Sequence, residues 1–370
     1  MPGDAKINDP DCIVREDVAR IFDRLGRAAG DSFAGQRILV TGCAGFLGRL
    51  FSQFFAGELD RRGAAPGRVV LADNFMFGRP AWLERLAGRN DRAEIRRLDI
   101  ANPGAAGDDF GSFHYIVHLA SIASPTFYRR HPFETLDANV WGLRRLIDTC
   151  DPGLLAGLLF FSSSEIYGDP EPAAIPTPED YPGLVHCRGP RACYDEAKRF
   201  GETLCHLAGE VRGLKIATVR PFNNYGPGMR LDDRRVPADF ASAVLSGRDI
   251  VILSDGSPTR TFCYVADAVF GYLLALLKGA GQVFNIGSPG PEISVSRLAE
   301  IFAAAGRAGH GYTGKVIYAK ADEADYLTHN PRRRRPDISR AREALGYDPE
   351  VGLEEGVARY LAHLAAEREG

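Results

Sequence analysis

The stretch 38–48 reads Ile-Leu-Val-Thr-Gly-Cys-Ala-Gly-Phe-Leu-Gly: an apolar run, glycines at positions 42, 45 and 48, then a helical pattern. Few folds accept such a segment. A strand that ends in a glycine turn and feeds straight into a helix is the opening unit of a parallel sheet covered by helices. Gly42 can take the tight turn, Gly45 lets backbone approach a pyrophosphate, and Gly48 lets the helix pack closely on the strand. The start of the helix, at Phe46 and Leu47, then offers unpaired N–H groups to the phosphates of a dinucleotide. The G-x-x-G-x-x-G spacing differs from the G-x-G-x-x-G of many dehydrogenases, and the simpler alternative is a plain strand-to-helix turn.

The chain keeps this rhythm. Strand candidates at 37–41, 68–72, 94–98, 115–119, 158–162 and 215–220, most of them apolar, alternate with helical stretches at 46–61, 132–150 and 192–210. Strands that are apolar throughout belong to a parallel sheet buried on both faces. The pattern predicts an α/β, Rossmann-type doubly wound parallel sheet over residues 35–222. From Asn223 the composition shifts to loops and helices rich in Pro, Gly and Arg, predicting a smaller substrate-binding lobe over 223–370. Such a lobe closes over the carboxyl ends of the strands, where these sheets bind ligands. The run 283–286 is expected to return to the main sheet and interleave the two parts. Within residues 1–34, Val14, Val18, Ile21, Phe22 and Leu25 recur at helical spacing. They predict one amphipathic helix packed on the body, with partner binding as the second reading.

Composition excludes several classes. At 370 residues and 45% hydrophobic the chain can bury a large core, and its net charge of -3 attracts neither nucleic acid nor an anionic membrane. No apolar stretch is long enough to span a bilayer, and residues 1–10 lack the basic start and apolar run of a signal peptide. Seven cysteines show no C-x-x-C and no Cys/His cluster. They read as reduced thiols of a cytoplasmic protein with no structural metal.

The run 68–72 ends in Asp73 and Asn74. A carboxylate there can accept hydrogen bonds from the adenosine ribose and would repel a 2′-phosphate, which favours NAD over NADP; a helix cap is the alternative. Asp99 and Ile100, after the third run, are placed to meet the adenine edge, with capping again the alternative. Tyr194 and Lys198 are four apart in a predicted helix and share a face. Lys198 is expected to lower the Tyr194 pKa, so that a phenolate takes a hydroxyl proton while hydride leaves. The run 158–162 delivers Ser162, Ser163, Ser164 and Glu165 to the same edge, where hydroxyls can bond a sugar oxygen. Glu165 reads either as an acid/base group with a raised pKa or as a cap.

These residues lie in segments that together resemble one family: TGCAGFLG (41–48), HLAS (118–121), SSSEIYGDP (162–170), GPRACYDEAKR (189–199), RPFNNYGPGM (220–229), DGSPTRTFCYVAD (255–267), FNIG (284–287) and RRRPDISRAREALGYDP (333–349). From about Arg37 to Leu361 the chain resembles extended short-chain dehydrogenases/reductases that act on nucleotide sugars as epimerases, dehydratases or decarboxylases. It is most similar to UDP-glucuronate decarboxylases. The resemblance implies NAD as cofactor, held also by Leu119, Ala120, Ser121, Asn139 and Ser162. It places Ser163 at the sugar C4 oxygen, Glu165 in the catalytic Glu position, and Arg260 at the glucuronate carboxylate and C5 proton. Tyr128 would lie against that carboxylate, with Ser164 nearby, while Asn223, Arg235 and Arg334 would hold the nucleotide diphosphate. One or two arginines of the run 332–335 are expected to touch phosphate. The helices at 132–150 and 192–210 would form a four-helix homodimer interface.

The implied reaction oxidises C4, loses CO2 from the resulting β-keto acid and returns the hydride, giving a UDP-pentose or its 4-keto form. A C4-epimerase is the second reading, although Glu165 leans against it, and a 4,6-dehydratase is the third, with Ser164 where dehydratases carry Asp. Gly228 where decarboxylases have Arg, Phe127 where they often have His, and the N-terminal helix depart from the decarboxylase pattern. A non-catalytic NAD module would be expected to have lost Tyr194, Lys198 or the hydroxyls.

Overall fold

The computed structural model describes residues 10–102, 112–320 and 331–369. Its centre is a seven-stranded sheet built from β1 (Arg37–Thr41), β2 (Arg68–Asp73), β3 (Ala93–Arg97), β4 (Tyr115–His118), β5 (Gly157–Phe161), β6 (Ile216–Pro221) and β7 (Val283–Ile286). The spatial order is β7-β6-β5-β4-β1-β2-β3, and every pairing is parallel. The strand β7 comes from beyond Asn223 and pairs with β6, so the C-terminal part completes the main sheet.

Both faces of the sheet are buried along its inner strands, which is why these read as unbroken apolar runs, whereas the edge strand β3 is half-exposed and carries Glu94, Arg96 and Arg97. On one face Ile38, Val40, Val117, Leu159 and Val219 pack under α1 (Cys12–Leu25), α2 (Phe46–Gln53) and α5 (Val265–Lys278). On the other, Leu39, Val70, Ile116, Leu158 and Phe160 pack under α3 (Pro132–Asp137, running on to Thr149) and α4 (Ala192–Arg212). A dense aromatic contact joins α2, β5 and α5, where the Phe161 and Tyr272 ring centroids are 4.8 Å apart with Phe51 against both.

Two predicted helices are interrupted by π turns: Phe54–Glu58 follows α2, and Ala138–Gly142 divides α3 from Leu143–Thr149. At Gly142 a Cβ would stand 2.8 Å from Ile100, so only glycine lets this turn lie against the strand-end loop. The expected N-terminal helix is present as α1, with Val14, Val18, Ile21 and Phe22 buried and Leu25 half-buried. Each such side chain contributes about 1.5–3 kcal/mol of burial. Polar ties add direction: Asp17 accepts from Tyr264 at 2.7 Å and from Arg359 at 2.8 Å, and Arg24 donates to Asp267 at 2.6 Å.

Beyond β6 a small sheet places Thr259–Arg260 between Ile293–Ser294 and Arg333–Arg334, with Arg260 and Arg334 in register. Among the described residues no helix is long and apolar enough to cross a membrane.

Candidate active site

The strand β1 ends at a turn that only glycine can make. Gly42 has φ +73°, and a Cβ there would lie 2.7 Å from the Ala120 backbone nitrogen. A Cβ on Gly48 would lie 2.3 Å from the Gly42 carbonyl oxygen, so helix and strand approach too closely for any side chain. Gly45, Phe46 and Leu47 line the cleft beside them. At the end of β2, Asp73 accepts the Ala44 N–H at 3.1 Å and the Phe75 N–H at 2.8 Å, bracing the turn while it faces the cleft beside Asn74. Burial raises its carboxyl above the ordinary range, against those backbone bonds. Asp99 and Ile100 line the far end, and Asp99 also caps the Ala101 N–H at 3.1 Å. Leu119, Ala120, Ser121 and Ser162 complete this wall. Asn139 does not reach it. Fully buried in the second π turn, it donates to Ser121 Oγ at 3.0 Å, so its place is behind the wall as a support for Ser121.

Tyr194 and Lys198 rise from α4 on one face, as their spacing predicts, and both line the cleft. The expected acidification of the phenol by Lys198 is not found. Burial pushes the Tyr194 phenol up to about 12, a shift that its hydrogen bond with Ser163 only partly offsets. Burial also lowers the Lys198 ammonium to about 7, and its Nζ donates to the Phe161 carbonyl at 2.7 Å. Two groups deprived of water each favour their neutral form. Behind Lys198, His118 is held neutral by burial and bonded to Thr41 Oγ1 at 2.8 Å.

The third part of the site is a cluster of guanidiniums around Glu165, which sits in the short helical turn Ser164–Tyr167 capped by Ser163. Arg334 forks onto both carboxylate oxygens at 2.5 Å each, and Arg191 donates to Oε2 as well. Burial alone would raise Glu165, but Arg191, Arg334 and Arg260 reverse the sign and hold it at about 2. The expectation of a raised pKa is therefore overturned, because a cation lies on either side. Arg334, expected at the diphosphate, is instead committed to Glu165, since the register of the small sheet sets it beside Arg260. Of its neighbours in the arginine run, Arg333 pairs with Glu292 and Arg335 donates to the Pro289 carbonyl. Arg260 lines the cleft and donates to the carbonyls of Thr259 and Pro331, while burial lowers it to about 9. Tyr128 stacks on Tyr194 with ring centroids 5.1 Å apart and planes within 12°, and its buried hydroxyl has no hydrogen-bond partner. Asn223 (φ +41°) donates to the Thr261 carbonyl at 3.0 Å, and Arg235 is paired with Asp233; both line the cleft, as does Ser164.

Arg191 is the residue that sequence reasoning missed. Its signal was available: positions 191, 194, 195 and 198 recur at helical spacing, so Arg191 and Asp195 share the face of Tyr194 and Lys198.

The cleft that joins these three parts has a volume of about 1440 Å³. Single small-molecule sites occupy roughly 300–1,000 Å³, so it has room for two sizeable ligands side by side. The family model described as "NAD dependent epimerase/dehydratase family" matches residues 38–287. The chain belongs to that family. NAD is the cofactor of this family, and the residues here fit it: the turn between β1 and α2 is too tight for a side chain at Gly42 or Gly48, and a carboxylate, Asp73, ends the neighbouring strand and lines the same cleft. Among its relatives, UDP-glucuronic acid decarboxylase 3 of Arabidopsis thaliana is 37% identical over 327 residues, covering 87% of this chain and 86% of that protein. The solved UDP-glucose 4-epimerase of Thermotoga maritima, with UDP-glucose, superposes with a TM-score of 0.75 at 29% identity, covering 90% of this chain and 99% of that one. The UDP-glucuronic acid 4-epimerase of Bacillus cereus, in complex with UDP-glucuronic acid and NAD, superposes with a TM-score of 0.72 at 25% identity, covering 90% and 99%.

Proposed function

We propose that the protein is an NAD-dependent UDP-glucuronate decarboxylase that yields a UDP-pentose, UDP-xylose or its 4-keto form. The observation that carries this reading is the set of three guanidiniums, Arg191, Arg260 and Arg334, against two carboxylates, Glu165 and Asp195, beside Tyr194. The excess positive charge suits a sugar that brings its own carboxylate, and guanidinium forks match carboxylate geometry. When bound at Gly42, Gly45, Gly48 and Asp73, NAD supplies a hydride acceptor that also returns the hydride.

Tyr194 accepts the C4 hydroxyl proton as a phenolate, its own proton having passed to the Lys198 amine that burial leaves largely neutral above pH 7, and Ser163 is bonded to the phenol to fix its direction. Lys198, anchored on the Phe161 carbonyl, holds one face of the Tyr194 ring. The 4-keto sugar is then a β-keto acid: its C5–C6 bond breaks, CO2 leaves, the electron pair passes into the C4 ketone, and C5 takes one proton from solvent on the Arg260 side before the hydride returns to C4. Glu165, ionised and clamped, serves as a fixed acceptor that orients the sugar, and Arg260 stands by for the carboxylate end. Asn223 and Arg235 are assigned to the diphosphate, with residues 35–222 holding the dinucleotide and 223–370 the sugar nucleotide.

A C4-epimerase is the second reading, favoured by the fact that the B. cereus relative of the same fold is named for epimerising UDP-glucuronic acid. A cationic pocket for the sugar carboxylate serves both reactions, so the products decide. Purified protein given UDP-glucuronate and NAD is expected to release CO2 in step with a UDP-pentose; UDP-galacturonate without CO2 would replace decarboxylase by epimerase.

The assembly fits a homodimer through a four-helix bundle. The helices on either side expose Phe133 and Trp141, and Phe200, Leu207 and Val211, an apolar set too large for free solvent. The seven cysteines form no disulfide among the described residues, which suits a reducing, cytoplasmic compartment.

A further inference from the structure

One carboxylate of the arginine cluster has no task in the reading above. Asp195 follows Tyr194 on α4 and is buried. It stands one helical turn after Arg191, and its Oδ2 lies 3.6 Å from Arg191 Nε, while the end of the same guanidinium is bonded to Glu165. Its other oxygen, Oδ1, is buried with no hydrogen-bond partner. The groups that face it are Arg191, Cys193 and Tyr194 of α4, Glu165 from the turn after β5, Tyr128 from the helix Pro125–Arg130, and Arg334 from the small sheet. A buried carboxylate with an unpaired oxygen is costly as an anion, and a proton on that oxygen relieves the cost. The contact with Arg191 is the long and weak one in the cluster, whereas Glu165 is gripped by two guanidiniums.

We propose that Asp195 is an exchangeable counter-charge: it balances Arg191 while the cleft lacks substrate, and yields that guanidinium to the carboxylate of the incoming sugar nucleotide, taking up one proton from solvent as it does so. No bond to carbon changes in this step. The Asp195 carboxylate becomes a carboxylic acid, and the substrate carboxylate takes over the ionic contact. The inference rests on UDP-glucuronate as substrate. Burial, with the Glu165 charge alongside, already lifts Asp195 to about 7 against the pull of Arg191 and Arg334. A further anion beside it raises it again, so the proton is taken up from neutral pH upward. Asp195 is thus a positioning residue that acts through Arg191.

Proton exchange on binding tests this directly. Protein loaded with NADH, which cannot accept hydride from the sugar, is titrated calorimetrically near pH 7.5 in buffers of different ionisation enthalpy. UDP-glucuronate is expected to bring an uptake of about half a proton per site, and UDP-xylose, which has no carboxylate, none. Affinity for UDP-glucuronate should weaken by up to about tenfold per pH unit above neutrality. In Asp195→Asn both the uptake and the pH slope should vanish. Equal proton exchange with both nucleotides, or uptake that persists in Asp195→Asn, overturns the role of Asp195. The first comparison decides on the unaltered chain even where the variant fails to fold. Binding of UDP-xylose with no binding of UDP-glucuronate overturns the substrate reading, and this inference with it.

Discussion

Tyr194 shows how much a reactive side chain owes to its surroundings. Its spacing from Lys198 is a sequence property, but its acidity is set by burial, by Ser163 and by the charges of Glu165 and Asp195. Replacing Tyr194 with Phe removes the proton acceptor and keeps the stack. Turnover should fall by about 10²–10⁴-fold, the usual worth of a general base, with NAD affinity within a fewfold of wild type. Steady-state CO2 release and NAD titration on the same preparation check it, and unchanged turnover would remove Tyr194 from its role. Gly48 makes the opposite prediction. A methyl group there meets the Gly42 and Cys43 carbonyl oxygens at 2.3 and 2.5 Å, both backbone atoms that cannot swing aside. Gly48→Ala should weaken NAD binding by about 100-fold or more, because the turn must open to admit the Cβ. Near-normal affinity would mean that this turn does not hold the pyrophosphate.

Among the elements, the C-terminal helix α6 (Leu353–Glu369) does unexpected work by reaching the glycine-turn helix. His363 on α6 lies 3.2 Å from an Arg49 nitrogen on α2, and Arg49 also holds Glu367 and, at 2.7 Å, Asp11 ahead of α1. Three elements distant in sequence therefore meet on one buried guanidinium. Burial, aided by Arg49, lowers His363 from 6.5 to about 4. As pH falls from 6.5, the unfolded chain binds a proton on this histidine that the folded ring refuses until about pH 4. Stability should therefore drop across that window by up to about 3 kcal/mol, and be restored above pH 6.5. Urea unfolding of wild type and His363→Gln from pH 7 to 4 measures it; the variant should show a shallower acid limb, and parallel curves would refute the assignment. The N-terminal helix itself packs on the body, the first of the two readings its periodicity allowed.

For the whole molecule, the exposed apolar faces of the 132–149 and 192–212 helices are where the proposed homodimer is to be tested. Trp141 is 64% and Val211 78% exposed on a chain whose other large apolar side chains are mostly buried. Charges placed there, Trp141→Glu with Val211→Arg, should convert a dimer into monomers in sedimentation velocity. A wild-type chain that sediments as a monomer at micromolar concentration would defeat the homodimer proposal. The pairing would also stiffen α4, which carries Arg191, Tyr194, Asp195 and Lys198.

Much of this protein was legible without coordinates. The period of the apolar residues and the glycines at 42, 45 and 48 are local properties, and local chemistry determines where strands, turns and helices form. The seven strands, the N-terminal helix and the face shared by Tyr194 and Lys198 follow from them. The π turns did not, because they answer to contacts such as Gly142 against Ile100. Nor did the electrostatics. Whether Glu165 is raised or lowered, whether Arg334 meets a phosphate or a carboxylate, and whether Asn139 touches the cleft or supports Ser121 all depend on groups far apart in sequence. Residues 165 and 334 meet only because the chain folds back through the small sheet, and charge interaction decays with distance in space, which sequence order does not record.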